Sequence, residues 1–205
     1  MKSIDHLIEY ANLILQGQYC SDEGYLKVPR IAHTLDTIRQ LHAWGFAERE
    51  HRDIWIAAIC NSMIGVGSSP SHVDTILSKV EELSKVEGSL DAIPLAITKE
   101  LLFVDYEGVT EEDYYASFMD KSLHSLVIKI ADCLSEVATL MVLDGPDAAE
   151  YFKKAQPLFE AYSRRLDELR EEFNDTMALD IGRSISTFSH AFSSGGINLT
   201  NEADS

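Results

Sequence analysis

Four side chains capable of chemistry stand inside or beside apolar helical segments of this sequence: His33, Cys60, Asn61 and Asp132. Asp132 is the most informative, because it interrupts an apolar helix face and a buried carboxylate needs a partner. The other three also fit ordinary structural roles: His33 as a histidine bonded to a backbone carbonyl, Cys60 as a small buried apolar residue, and Asn61 as a cap at its helix end. Residue type alone leaves both interpretations open.

The segments around these residues are predicted to be helices, because apolar residues recur in them at helical spacing. Nothing alternates with period two over a useful length, so the predicted fold class is all-α. Thr110 and Asp113 are expected to form a capping box at one helix start, and Pro157 is expected to kink a long helix. The predicted helices cover residues 3–16, 31–45, 53–64, 71–83, a short stretch after Pro94, a helix from Thr110, 121–143, 151–169 and 176–192.

Composition and charge narrow the classes of function. The chain has 205 residues, 45% of them hydrophobic, which favours one domain over residues 1–193 with a flexible C-terminal tail over 194–205. The formal net charge of −17 argues against nucleic-acid binding, which depends largely on lysine and arginine. No apolar run approaches the roughly 18 residues of a membrane helix. Cys20, Cys60 and Cys133 show no paired spacing, which predicts a cytoplasmic protein with reduced thiols.

Four motifs resemble, in order and spacing, the (p)ppGpp hydrolase domain of the RelA/SpoT group of HD-domain metal-dependent phosphohydrolases. They are Gly17-Gln18, Pro29-Arg30-Ile31-Ala32-His33, Ile56-Ala57-Ala58-Ile59-Cys60-Asn61 and Val127-Ile128-Lys129-Ile130-Ala131-Asp132-Cys133-Leu134. The resemblance covers about residues 5–170 and implies an HD-domain-like helical bundle. It places His33, Cys60, Asn61 and Asp132 at the family's metal-binding positions, and it predicts a contact between His33 and Asp132, direct or through water.

The site implied by this resemblance has lost most of its chemistry. Where the family has a His-Asp pair, this chain has Cys60-Asn61, and a thiol beside a neutral amide binds a hard divalent ion poorly. The family's Glu-Asp pair, which acts on the attacking water, falls near Ile64-Gly65. The Arg-Lys pair after Gly-Gln has no counterpart. Three further positions, which in the family carry Arg, His and Asn, are here Cys133, Ser135 and Glu136.

These departures favour a degenerate HD-domain pseudoenzyme that binds a nucleotide or a protein partner, with little hydrolysis and no cofactor. The alternative is a diverged phosphohydrolase acting on a (p)ppGpp-like nucleotide, with manganese, zinc or iron held by the same four residues. A third interpretation is an acidic protein that blocks a basic partner, which would require the acidic residues to gather on one face. Four other histidines are predicted to lie at the surface: His51, His72, His124 and His190.

Overall fold

The computed structural model describes residues 3–19, 28–64, 70–85, 93–102, 109–143 and 145–194. Within these ranges the chain is helical and has no β-strand, which confirms the all-α prediction; one isolated antiparallel bridge joins Tyr19 to Pro29. The helices are α1 (Ser3–Ile14), α2 (Arg30–Ala43), α3 (Arg52–Ile64), α4 (Pro70–Lys85), α5 (Ile93–Leu101), α6 (Glu111–Ala116), α7 (Leu123–Leu143), α8 (Gly145–Lys154), α9 (Gln156–Arg164), α10 (Leu166–Glu172) and α11 (Asp175–Ser194). A single 3-10 turn, Ser117–Met119, follows α6.

Local sequence signals set several of the helix boundaries. The predicted capping box at α6 is confirmed: Thr110 Oγ1 accepts a hydrogen bond from the Asp113 backbone N–H at 3.1 Å, and Asp113 Oδ2 accepts one from the Thr110 N–H at 3.0 Å. The chain leaves α2 through Gly45, whose φ of +97° suits a residue without a Cβ. α3 continues to Ile64, so Asn61 lies within its last turn and does not cap its end.

The prediction of one kinked helix over residues 151–169 was wrong, since three helices, α8, α9 and α10, cover this stretch. The first break, at Ala155, precedes Pro157, which has no N–H to donate and whose ring clashes with the preceding turn of a helix. The second break is at Arg165, whose guanidinium donates to the backbone carbonyl oxygens of Phe118 and Lys121. These two acceptors lie 47 and 44 residues earlier in the chain, so the local sequence does not predict the contact.

α3 and α7 are the two helices around which the others pack. α3 contacts α1, α2, α4, α5 and α7, while α7 also contacts α2, α5, α8 and α9. Nine of the residues of α3 are buried, and each fully buried isoleucine among them contributes roughly 1.5–3 kcal/mol. One hydrophobic cluster includes side chains from every helix, α1 to α11. Because α2 and α3 both lie against α7, polar residues on these three helices can meet inside the bundle.

Two further expectations concern the C-terminal tail and the presence of a membrane-spanning helix. The flexible tail predicted over residues 194–205 lies outside the described residues, apart from Ser194 at the end of α11. No described helix combines the length and apolar character that crossing a bilayer would require.

Candidate ligand-binding pocket

The site begins with the pair of His33 on α2 and Asp132 on α7, which are 4% and 9% exposed. His33 Nε2 lies 2.9 Å from Asp132 Oδ1, so the predicted direct contact is confirmed. The hydroxyls of Thr37 and Ser135 both donate to the backbone carbonyl oxygen of His33, at 3.1 and 3.3 Å. Ser135 thereby ties α7 to α2 beside the pair and has a structural role.

Lys129 supplies a second partner for Asp132, which the sequence interpretation missed. Its Nζ lies 2.7 Å from Asp132 Oδ2, one helical turn away, so both carboxylate oxygens face a nitrogen donor. The ammonium group also lies over the rings of Tyr114 and Tyr115, at 5.5 and 5.8 Å from their centroids. A lysine three residues before a buried aspartate is a local signal that could have predicted this pair.

Burial and pairing oppose each other in fixing the charges of this network. Burial raises the pKa of Asp132, but Lys129 and the hydrogen bond from His33 outweigh it and hold this pKa far below its usual range. Burial lowers the pKa of Lys129, and Asp132 more than offsets it, so the lysine stays charged. The pKa of His33 is also lowered by burial, yet the hydrogen bond and charge of Asp132 raise it above 6.5, with a smaller contribution from Glu136.

Glu136 lies one turn beyond Asp132 and faces the other nitrogen of the imidazole. Its Oε2 is 3.5 Å from His33 Nδ1, close enough for an ion pair, but Nδ1 has no hydrogen-bond partner among the described residues. Burial raises the pKa of Glu136, and the nearby His33 opposes this shift. A buried polar atom without a partner costs about 1–3 kcal/mol, so the site has an unsatisfied hydrogen-bonding requirement.

The network forms one wall of a cavity of about 210 Å³, which is smaller than the roughly 300 Å³ of the smallest drug-sized pockets. Helices α2, α3, α5, α6, α7 and α8 contribute to its walls. The tyrosines that line the cavity keep their hydroxyl protons, since burial raises the pKa of Tyr115 to about 12. The Tyr115 Oη donates a hydrogen bond to the Tyr151 Oη at 3.1 Å. Tyr114 Oη donates to the backbone carbonyl oxygen of Leu101.

The four predicted metal-binding residues are only partly brought together. His33 and Asp132 touch, and Asn61 lines the same cavity. Cys60 is fully buried in the core and is not among the residues lining the cavity. Burial raises the pKa of its thiol far above the usual range, so it stays protonated, whereas metal binding requires the thiolate. The position of Cys60 in the hydrophobic core fits the role of a small apolar residue.

In the arrangement that the structure shows, the described residues do not form a divalent-metal site. Among the described residues, no group of three or more histidine, cysteine, aspartate and glutamate side chains is arranged to hold a metal ion. Both oxygens of Asp132 already face cationic or hydrogen-bonding nitrogens. A divalent ion bound to Asp132 would have to displace the Lys129 ammonium group, which lies 2.7 Å from this carboxylate, or lie beside it. A metal cation next to an ammonium group is strongly repelled in a buried site.

The prediction that four other histidines lie at the surface holds only in part. His190 is exposed, whereas His72 is half-buried and its Nε2 lies 3.1 Å from the carbonyl oxygen of Met63. His51 and His124 are also half-buried, and both rings pack edge-on against Phe173. Burial lowers the pKa of His124. The contacts of His51 and His124 with Phe173 join residues far apart in sequence, so helical periodicity could not have predicted them.

No protein-family model, no curated protein and no solved structure matches this chain. The resemblance to the HD-domain hydrolases therefore stays a prediction that rests on the four sequence motifs.

Proposed function

We propose that this protein binds a small molecule of the nucleoside or nucleotide class and hydrolyses it little or not at all, on a degenerate HD-domain-like frame. The observation that carries the proposal is the engagement of Asp132: Lys129 Nζ lies 2.7 Å from one oxygen and His33 Nε2 lies 2.9 Å from the other. The carboxylate expected to hold a metal is instead neutralised by protein groups, next to a cavity large enough for a small ligand.

The charge of the network supports binding without metal chemistry. Lys129 carries a fixed positive charge at the position from which a metal would have to reach the aspartate. Cys60 is turned away from the cavity, and Asn61 offers only a neutral amide. A metal-bound hydroxide, the usual nucleophile of such hydrolases, therefore lacks a set of anionic ligands to support it.

The diverged phosphohydrolase remains the second candidate, because His33 has two carboxylates within reach. Asp132 Oδ1 lies 2.9 Å from Nε2, and Glu136 Oε2 lies 3.5 Å from Nδ1. Imidazole and carboxylate are ligands that zinc and iron accept, so in this candidate Lys129 would move away and His33 Nε2 and Asp132 would hold the ion, while Glu136 lies at the other ring nitrogen. This candidate predicts metal-dependent turnover of a (p)ppGpp-like nucleotide.

One experiment separates the two candidates. Protein purified without chelator is analysed for manganese, zinc and iron, and is then incubated with ppGpp and with nucleoside phosphates in the presence of added manganese. We expect far less than one metal per chain, no turnover, and a rise in melting temperature with a ligand of the nucleoside or nucleotide class. Metal near one equivalent together with turnover would replace the binding proposal with the hydrolase.

The surroundings of the thiols bear on location. Cys60 and Cys133, the two cysteines that the structure describes, are both buried and unpaired. Unpaired thiols are typical of reducing compartments, which supports the proposal that the protein works in the cytoplasm.

A further inference from the structure

We infer that the cavity takes an uncharged molecule with adjacent hydroxyl groups, as on the ribose of a nucleoside, and discriminates against its phosphorylated form. One hydroxyl binds His33 Nδ1 and its neighbour donates to Glu136. This inference rests on the proposed function and specifies the class of ligand.

The buried imidazole of His33 has one nitrogen whose hydrogen bonding is unsatisfied. His33 is 4% exposed, its Nε2 is engaged by Asp132, and its Nδ1 has no hydrogen-bond partner among the described residues. A hydroxyl group can both donate and accept, so it satisfies Nδ1 in either protonation state of the ring. Glu136 Oε2, 3.5 Å from Nδ1, is placed to accept a hydrogen bond from a second hydroxyl. A carboxylate is a common acceptor for ribose hydroxyls in nucleotide-binding proteins.

The charges on the cavity wall also favour an uncharged ligand. The fixed cations are Arg30 and Lys129, and the carboxylates are Glu111, Asp132 and Glu136. Lys129 is already paired with Asp132, which leaves Arg30 as the one fixed cation of the lining without an ion pair to a described residue. The carboxylates have cationic neighbours as well, since Glu111 lies 3.9 Å from Lys154 and Glu136 lies 3.5 Å from His33. The lining still carries three carboxylates against two fixed cations, and a phosphate group would add to this excess of negative charge, so an uncharged ligand is favoured.

The size of the cavity and the neutral part of its lining suit a nucleoside. A volume of about 210 Å³ leaves little room for several phosphate groups beside a base and a sugar. The side chain of Asn61 lines the cavity without a hydrogen bond to another described residue, so it offers both a donor and an acceptor. Tyr114, Tyr115 and Tyr151 add apolar ring surface that suits the carbon face of a sugar or base.

The test compares three forms of each compound. Adenosine, guanosine, cytidine and uridine, their 2′-deoxy forms and their 5′-monophosphates are titrated into the full chain by calorimetry at two salt concentrations. We expect at least one ribonucleoside to bind with an affinity that salt hardly changes. Its deoxy form should bind about 10- to 100-fold more weakly, because a hydrogen bond to a charged group is lost, and its monophosphate should also bind more weakly.

Variants locate the binding. Glu136→Gln keeps the shape of the side chain and removes its charge, so it should weaken ribonucleoside binding about 10- to 100-fold. Glu160→Gln is the matched control, because Glu160 lies outside the cavity. Glu160 pairs with Arg164 at 4.0 Å, and both side chains are largely exposed. The Glu160→Gln variant should bind the ribonucleoside as tightly as the wild type does. Circular dichroism of each variant verifies that it is folded.

Each outcome has a definite meaning. Tighter binding of the monophosphate, weakened by salt and by Arg30→Met, overturns the inference and leaves the proposed function in place. Metal-dependent turnover overturns the proposed function itself. Binding of no ribonucleoside, or equal affinity in wild type and Glu136→Gln, also overturns the inference.

Discussion

The sharpest prediction concerns Lys129→Met, which removes the ammonium group and keeps most of the length of the side chain. Lys129 and Asp132 each expose only 12% of their side chains, and their charged atoms are 2.7 Å apart. Removing one partner of such a buried pair leaves an uncompensated charge and costs about 3–5 kcal/mol. We expect a loss near the lower end of that range, because His33 still donates to the other oxygen of Asp132. Urea unfolding at neutral pH, followed by circular dichroism, measures it.

Lys79→Met provides the matched control. Lys79 pairs with Glu82 at the same three-residue helical spacing and at 2.9 Å, but the two side chains are 32% and 62% exposed. Pairs in water contribute about 0.2–1 kcal/mol, so the control should lose less than about 1 kcal/mol. The double variant Lys129→Met with Asp132→Asn is a second control. It also removes the negative charge that Lys129→Met leaves without its lysine partner, so it should recover part of the lost stability. If Lys129→Met costs no more than Lys79→Met, the buried ion pair does not hold this site together.

Three further predictions follow from the same contacts. Because the pKa of His33 is raised in the folded state, protonation of His33 stabilises the fold fully below the unfolded pKa of about 6.5, and this stabilisation is lost as pH rises through the folded pKa. The difference in unfolding free energy between wild type and His33→Gln should therefore shrink above pH 6.5. A difference that does not change with pH would contradict this. Thr110→Ala removes the hydrogen bond to the Asp113 N–H and should cost about 1 kcal/mol in thermal or urea unfolding, whereas no loss would mean that the capping box contributes nothing. Cys60→Ala should cost about 1 kcal/mol of stability and leave ligand affinity and metal content unchanged; loss of metal uptake in this variant would support the hydrolase alternative.

The sequence by itself determined the helical class and much of the helix layout. Apolar spacing located α1, α2, α3, α4, α7 and α11 to within a few residues, because a helix exposes one face in a period that the chain carries locally. The start of α6 was predictable from Thr110 and Asp113, which interact within one turn. That Asp132 needs a partner also followed, because a buried carboxylate must find a donor, whereas the family resemblance named His33 as that partner.

Only the tertiary structure decided what the site can do. Which nitrogen of His33 is left without a partner, and that Glu136 faces it, depend on how α2 crosses α7. The exclusion of Cys60 from the cavity depends on the rotation of α3, although Asn61, the next residue, does line it. The physical reason is that helix periodicity is a short-range property, whereas the side chains that meet inside a bundle are selected by the packing of helices far apart in sequence.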